Sequence, residues 1–134
     1  MRAFNIVVIV CCFSCNARLK RKSDICISTG FNQHVEKVSF NDLENIKKMD
    51  GEFVEIDGVF RYAFEDVALY PSFSSNSKNA LWISFTDSIL SHSVELKENI
   101  DSRVVLIGKI NLSNKGHYHS YMATLDSVFC LKAK

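Results

Sequence analysis

Two imidazoles, a run of carboxylates and a pair of distant cysteines are the side chains here whose types and spacing could do chemistry. His117 and His119 stand at i and i+2 in Gly116-His117-Tyr118-His119-Ser120-Tyr121. On a strand that spacing puts both rings on one face, where they could hold a metal, but zinc needs three or four ordered ligands. The remaining imidazoles, His34 and His92, fall where no pattern places them. A turn followed by half-exposed strand residues is the preferred reading of the pair, so no metal ligand is assigned. Glu52, Glu55, Asp57, Glu65 and Asp66 form an acidic stretch. Glu55 and Asp57 alternate with Val54 and Ile56, the pattern of a strand with one wet face. A glycosidase-like acid pair would need a cleft that alternation alone does not supply. G-x-S-x-G, H-E-x-x-H and a phosphate-cradling glycine loop are all missing from the sequence. The expectation is therefore no enzyme, no catalytic residue and no cofactor.

Two further groups of residues bear on binding and stability. Phe60, Tyr62, Phe64, Tyr70, Phe73, Trp82 and Phe85 cluster within one stretch of chain. A small barrel needs large side chains to fill its interior, which suits Phe60, Trp82 or Phe85. Tyr62, Tyr70 and Phe73 are the candidate surface contacts, joined by His117, Tyr118, His119 and Tyr121. Cys26 and Cys130 lie near the two ends of the domain. Outside the cytoplasm such a pair can be bridged; otherwise it is two buried thiols.

The elements that must position these residues follow from periodicity. Residues 39–49 open with Ser39 and an acid, and Leu43, Ile46 and Met49 recur at helical spacing. Asp50-Gly51 breaks that helix. Residues 52–62 alternate as a long strand with Gly58 inside it, a bulge or sharp bend. Shorter strands are expected at 67–70 and 80–86, separated by the polar loop 72–79. A short helix near 94–99 follows. Then comes a strand at 103–112, interrupted by Gly108, a turn at 113–116 and a last strand at 121–131.

The amino terminus carries an address. Arg2, an apolar run over residues 4–13 and the small Ser14 have the architecture of a secretory signal, too short to span a bilayer. Ser14-Cys15 resembles the end of a bacterial lipoprotein signal, in which that Cys is acylated and becomes the first residue of the mature chain. The resemblance implies cleavage after residue 14, lipidation at Cys15 and a cell-envelope location, facing outside the cytoplasm. The four cations that follow, Arg18, Lys20, Arg21 and Lys22, suit a solvated tether beside anionic head groups.

Of the sixteen Lys and Arg, five (Arg2, Arg18, Lys20, Arg21 and Lys22) precede Ser23. Residues 23–134 therefore hold eleven cations against all fifteen acids, a net of −4. That balance lacks the footprint of a nucleic-acid binder.

Five strands with a helical insertion between the third and fourth is the order of an OB-fold, a five-stranded Greek-key barrel. Long first and fourth strands, each bent at a Gly, are what a small closed sheet needs to turn its corners. An antiparallel β-sandwich is the alternative. The arrangement of Gly58-Val59-Phe60, Ala68-Leu69-Tyr70-Pro71, Leu81-Trp82-Ile83, Val105-Leu106-Ile107-Gly108 and Lys115-Gly116-His117 is also similar to small uncharacterised bacterial lipoproteins with OB-like domains. The expected organisation is a signal at 1–14, a lipidated Cys and basic tether at 15–23, and one mainly β domain at 24–134. Its expected role is a membrane-tethered, non-enzymatic module that binds an envelope protein, a glycan or a small ligand through the barrel face or the loops 72–79 and 113–120. The alternative is an envelope hydrolase or metal-dependent enzyme using His117 and His119.

Overall fold

A computed structural model describes residues 22–27 and 31–134. The chain forms β1 (Ile25–Cys26), β2 (Glu36–Val38), α1 (Leu43–Ile46), β3 (Phe53–Ala63) and β4 (Asp66–Tyr70). It continues through β5 (Leu81–Phe85), α2 (Asp87–Leu90), α3 (Ser93–Glu98), β6 (Ser102–Asn111) and β7 (Ala123–Ala133). The expected lipidation site at Cys15, the expected signal and most of the expected basic tether lie outside the described residues.

Strands β3 to β7 close into a barrel. β3 pairs antiparallel with β4, and β4 with β5; β5 then runs parallel to β7, which pairs antiparallel with β6, and β6 returns antiparallel to β3. This is the five-stranded OB-like Greek-key barrel that the strand order predicts, and not the sandwich. Two short strands are added to it: β1 beside β7, and β2 parallel to β3.

Alternation sorts the side chains. Phe60, Leu69, Leu81, Leu106, Ile110, Leu125 and Leu131 point inward and are fully buried. Ile46 of α1, Ile89 of α2 and Leu96 of α3 join the same core. Full burial of one such side chain is worth about 1.5–3 kcal/mol. The helix expected over 39–49 is shorter at both ends, ending at Ile46 with Lys47 as its C-cap; Asp42 caps α1 by accepting from the Asn45 N–H at 3.0 Å, while Ser39 accepts from the Asn41 N–H in the turn before.

β3 pairs with β6 in unbroken register through Gly58, without the expected bulge, whereas the β6–β7 register shifts between Ile107 and Lys109, at Gly108; glycine has a steric cause at both positions. A Cβ on Gly58 would sit 2.6 Å from the Tyr70 carbonyl oxygen and 2.7 Å from Leu69 Cγ. One on Gly108 would lie 2.8 Å from Val128 and 2.9 Å from the Asp126 carbonyl. Close approach of neighbouring strands, not a positive φ, demands glycine there.

Cys26 and Cys130 face each other across the β1–β7 pair and are joined by a disulfide. The bridge ties a two-residue strand to the barrel across a sequence separation of 104.

Candidate functional site: an aromatic cleft between two turns

On the outer face of β3, β4 and β5 lies a second, smaller apolar cluster: Val59, Ala68, Tyr70, Ala80 and Tyr121, with Trp82 packed against it. The loop between β6 and β7 folds across this face. The Met122 N–H bonds the Ala80 carbonyl at 3.0 Å, and the Thr124 hydroxyl donates to the Asn114 carbonyl at 2.9 Å. Gly116 makes the approach possible. Its φ is +64, and a Cβ there would be 2.6 Å from both Cβ and Cγ of Trp82.

A polar knot fastens the same face. Tyr70 and Tyr121 both donate to Asp66 Oδ1 at 2.8 Å. The Arg61 guanidinium lies 4.3 Å from the Tyr70 ring centroid and 3.9 Å from Asp66 Oδ2, and donates to the Phe73 carbonyl at 2.9 Å. Burial, reinforced by the hydrogen bond to the Asp66 carboxylate, pushes both phenols above their ordinary value of 10.0. They stay protonated as donors and offer no base.

Beside this knot the β3–β4 turn and the β6–β7 loop bound a cleft of about 800 Å³. Tyr62, Phe64, Glu65, Val67, Trp82, Lys97, Ile100 and His117 line it. Phe64 at the tip of the turn is 92% exposed, and Tyr118 at the edge of the loop is 81% exposed. The His117 ring stacks on Trp82 with centroids 6.3 Å apart and meets Tyr118 edge-on at 4.1 Å. Its Nε2 points toward Glu65 Oε2 at 3.6 Å, too far for a hydrogen bond, and is buried without any hydrogen-bond partner. Glu65, Tyr118 and His119 all hold positive φ, at 61, 52 and 54. Such backbone costs roughly 1–3 kcal/mol per residue and clusters where ligands are held. The arrangement offers flat rings for stacking, a carboxylate acceptor, an ammonium donor and an imidazole.

The residues singled out from sequence divide. Tyr62 and His117 line the cleft, and Tyr118 adjoins it. Tyr70 and Tyr121, read as surface contacts, are buried at 4% and 7% with their hydroxyls committed to Asp66. Alternation gave their exposure no second layer to reckon with, and the β6–β7 loop supplies one. Phe73 is exposed but stands apart from the cleft. Phe60 and Phe85 pack with the barrel core, whereas Trp82 lies outside it under the loop.

His119 does not share a face with His117. The segment is a 3₁₀ turn over His117–His119 whose reversed backbone at Tyr118 sends the second ring into a different groove. Among the described residues no three His, Cys, Asp or Glu side chains gather where they could hold a metal. Three acids of the stretch are engaged by neighbouring side chains. Glu55 is engaged by Lys132 and Lys37, Asp57 by Arg103 and Lys134, and Asp66 by two tyrosines.

Sequence reading missed Phe64, Glu65 and Lys97 as site residues. The usable signal was a two-residue turn, Phe64-Glu65, with neither Gly nor Asn to ease it.

No family model, no curated protein and no solved structure matches the chain.

Proposed function

We propose that this protein is a non-enzymatic binding module, lipid-anchored at Cys15 outside the cytoplasm, whose aromatic cleft takes a glycan or another small ring-bearing ligand. One observation carries the reading: exposed and half-exposed rings converge with Glu65, Lys97 and an unpartnered His117 Nε2 between two strained turns. Sugar rings present C–H faces that stack on aromatic side chains, while their hydroxyls pair with carboxylate and imidazole. A nucleobase would stack as well, but the net −4 of the domain repels a phosphate chain. A disulfide between Cys26 and Cys130 supports an oxidising compartment. The divergence of His117 and His119 leaves the alternative metal-dependent enzyme without its paired ligands.

Trp82, the one tryptophan of the chain, lies in the cleft and reports on it directly. Titration with envelope oligosaccharides should quench or shift its emission saturably. Phe64→Ala should weaken that binding by about tenfold, an ordinary value for one stacking ring. Binding left unchanged in Phe64→Ala and Tyr118→Ala would exclude the cleft. The address has its own test: labelled fatty acid should enter the wild type and not Cys15→Ser. Equal incorporation in both would refute the anchor.

A further inference from the structure

The β6–β7 loop has a second side. Where His117 turns to the aromatic cleft, His119 lines a separate open groove of about 560 Å³. Three lysines from three separate parts of the chain line it: Lys47 at the end of α1, Lys78 in the 3₁₀ turn Ser77–Asn79, and Lys115 in the loop. Ser77 and Ser120 add their hydroxyls. No carboxylate lines the groove among the described residues. Among the described residues Lys78 and Lys115 enter no ion pair, and Lys47 pairs with its exposed neighbour Glu44 at 2.7 Å.

We propose that this groove is a binding site for a phosphate or sulfate group. Like charges drawn together from distant parts of a chain repel one another, and a surface with fifteen acids had ample means to pair them. An oxyanion relieves that repulsion, and ammonium groups, hydroxyls and an imidazole are the donors it takes. Lysine meets a phosphate as a point charge from several directions and needs no planar fork. The net −4 of the domain does not oppose this. Charges more than about 10 Å away are largely screened at 0.1 M salt, so a single group feels the groove while a long polyanion feels the whole surface.

The groove lies apart from the aromatic cleft, so its occupancy is independent of the function proposed above. The test uses the full chain in zwitterionic bicelles at about 0.1 M ionic strength, with inorganic phosphate and then sulfate added and amide shifts followed by NMR. Expected are saturable shifts at residues 77–78 and 115–120, with affinity that falls as sodium chloride is added. The double variant Lys78→Gln, Lys115→Gln should bind about tenfold more weakly, and Lys78→Arg with Lys115→Arg should restore part of the loss. These lysines are exposed, so the variants keep the fold, and Phe64→Ala should leave the phosphate titration unaltered. Shifts that never saturate, or that persist unchanged in the glutamine variant, would overturn the proposal. Bicelles doped with phosphatidylglycerol distinguish the source. Displacement of phosphate from the groove signals identifies a lipid head group, and unchanged phosphate binding identifies a soluble ester.

Discussion

Glu65 sets backbone strain in a tight turn against the chemistry proposed for the cleft. It occupies the left-handed region at φ 61 in a tight turn where Gly or Asn would sit with less strain. Its carboxylate is directed at His117 across the cleft. Glu65→Gly should therefore raise stability by about 1 kcal/mol, the relief of an L-residue from that backbone, while weakening ligand binding. A urea midpoint that moved up together with a weakened Trp82 fluorescence response would bear this out. A lower midpoint would show that the Glu65–His117 contact outweighs the strain. Gly116 is the reverse case: only the absence of a side chain lets the loop lie on Trp82, so the cleft depends on a residue with no chemistry of its own.

At the scale of elements, the barrel depends on two close strand approaches at glycine and one covalent tie. Gly58→Val and Gly108→Val each force a side chain onto a neighbouring strand's carbonyl, which the sheet cannot move cheaply. Each should cost about 1–3 kcal/mol, read as a fall in the denaturation midpoint. Two variants melting like the wild type would remove the steric account of the two glycines. The disulfide acts differently, since β1 has only two residues and little pairing of its own. In the chain-entropy model, closing so long a loop stabilises by up to about 4–5 kcal/mol. Cys26→Ala with Cys130→Ala should lose much of that. In the unreduced, unfolded protein neither thiol should react with an alkylating reagent; labelling of both would show there is no bridge to lose.

For the whole molecule, charge placement sets the response to acid. Hydrogen bonding from Lys132 lowers Glu55, opposed by burial and helped by the charges of Lys132 and Lys37. Burial pushes Asp57 up, but hydrogen bonds and charge from Lys134 and Arg103 together outweigh it and hold the carboxyl below its ordinary value of 3.8. A carboxyl depressed in the fold contributes stability that is fully present above its unfolded value, 4.5 for Glu and 3.8 for Asp. That stability is lost as pH falls through the lower folded value. The wild type should thus exceed Glu55→Gln, Asp57→Asn in urea resistance at neutral pH, and the gap should narrow steadily below about pH 4. A gap that stayed constant into acid would mean the pairs add nothing beyond side-chain packing. These pairs link β2, β3, β6, β7 and Lys134 just after it, so acid should loosen the outer sheet face before the apolar core.

The sequence by itself determined the barrel. Alternation of period two is a local property, and it located β3 to β7 to within a few residues; Gly58 and Gly108 fall where neighbouring strands come close. Their order then implied the closure. β1 and β2 were illegible because two or three residues carry no periodicity; their pairing comes from β7 and β3. The site was legible only in fragments. His117 and Tyr118 stood out by type, but Glu65 comes beside His117, and Lys47, Lys78 and Lys115 line one groove, only once the barrel has closed and the β6–β7 loop has crossed its face. Exposure of Tyr70 and Tyr121 was decided the same way. A residue's own strand fixes which side it faces, but only the rest of the chain decides whether that side meets water or another layer.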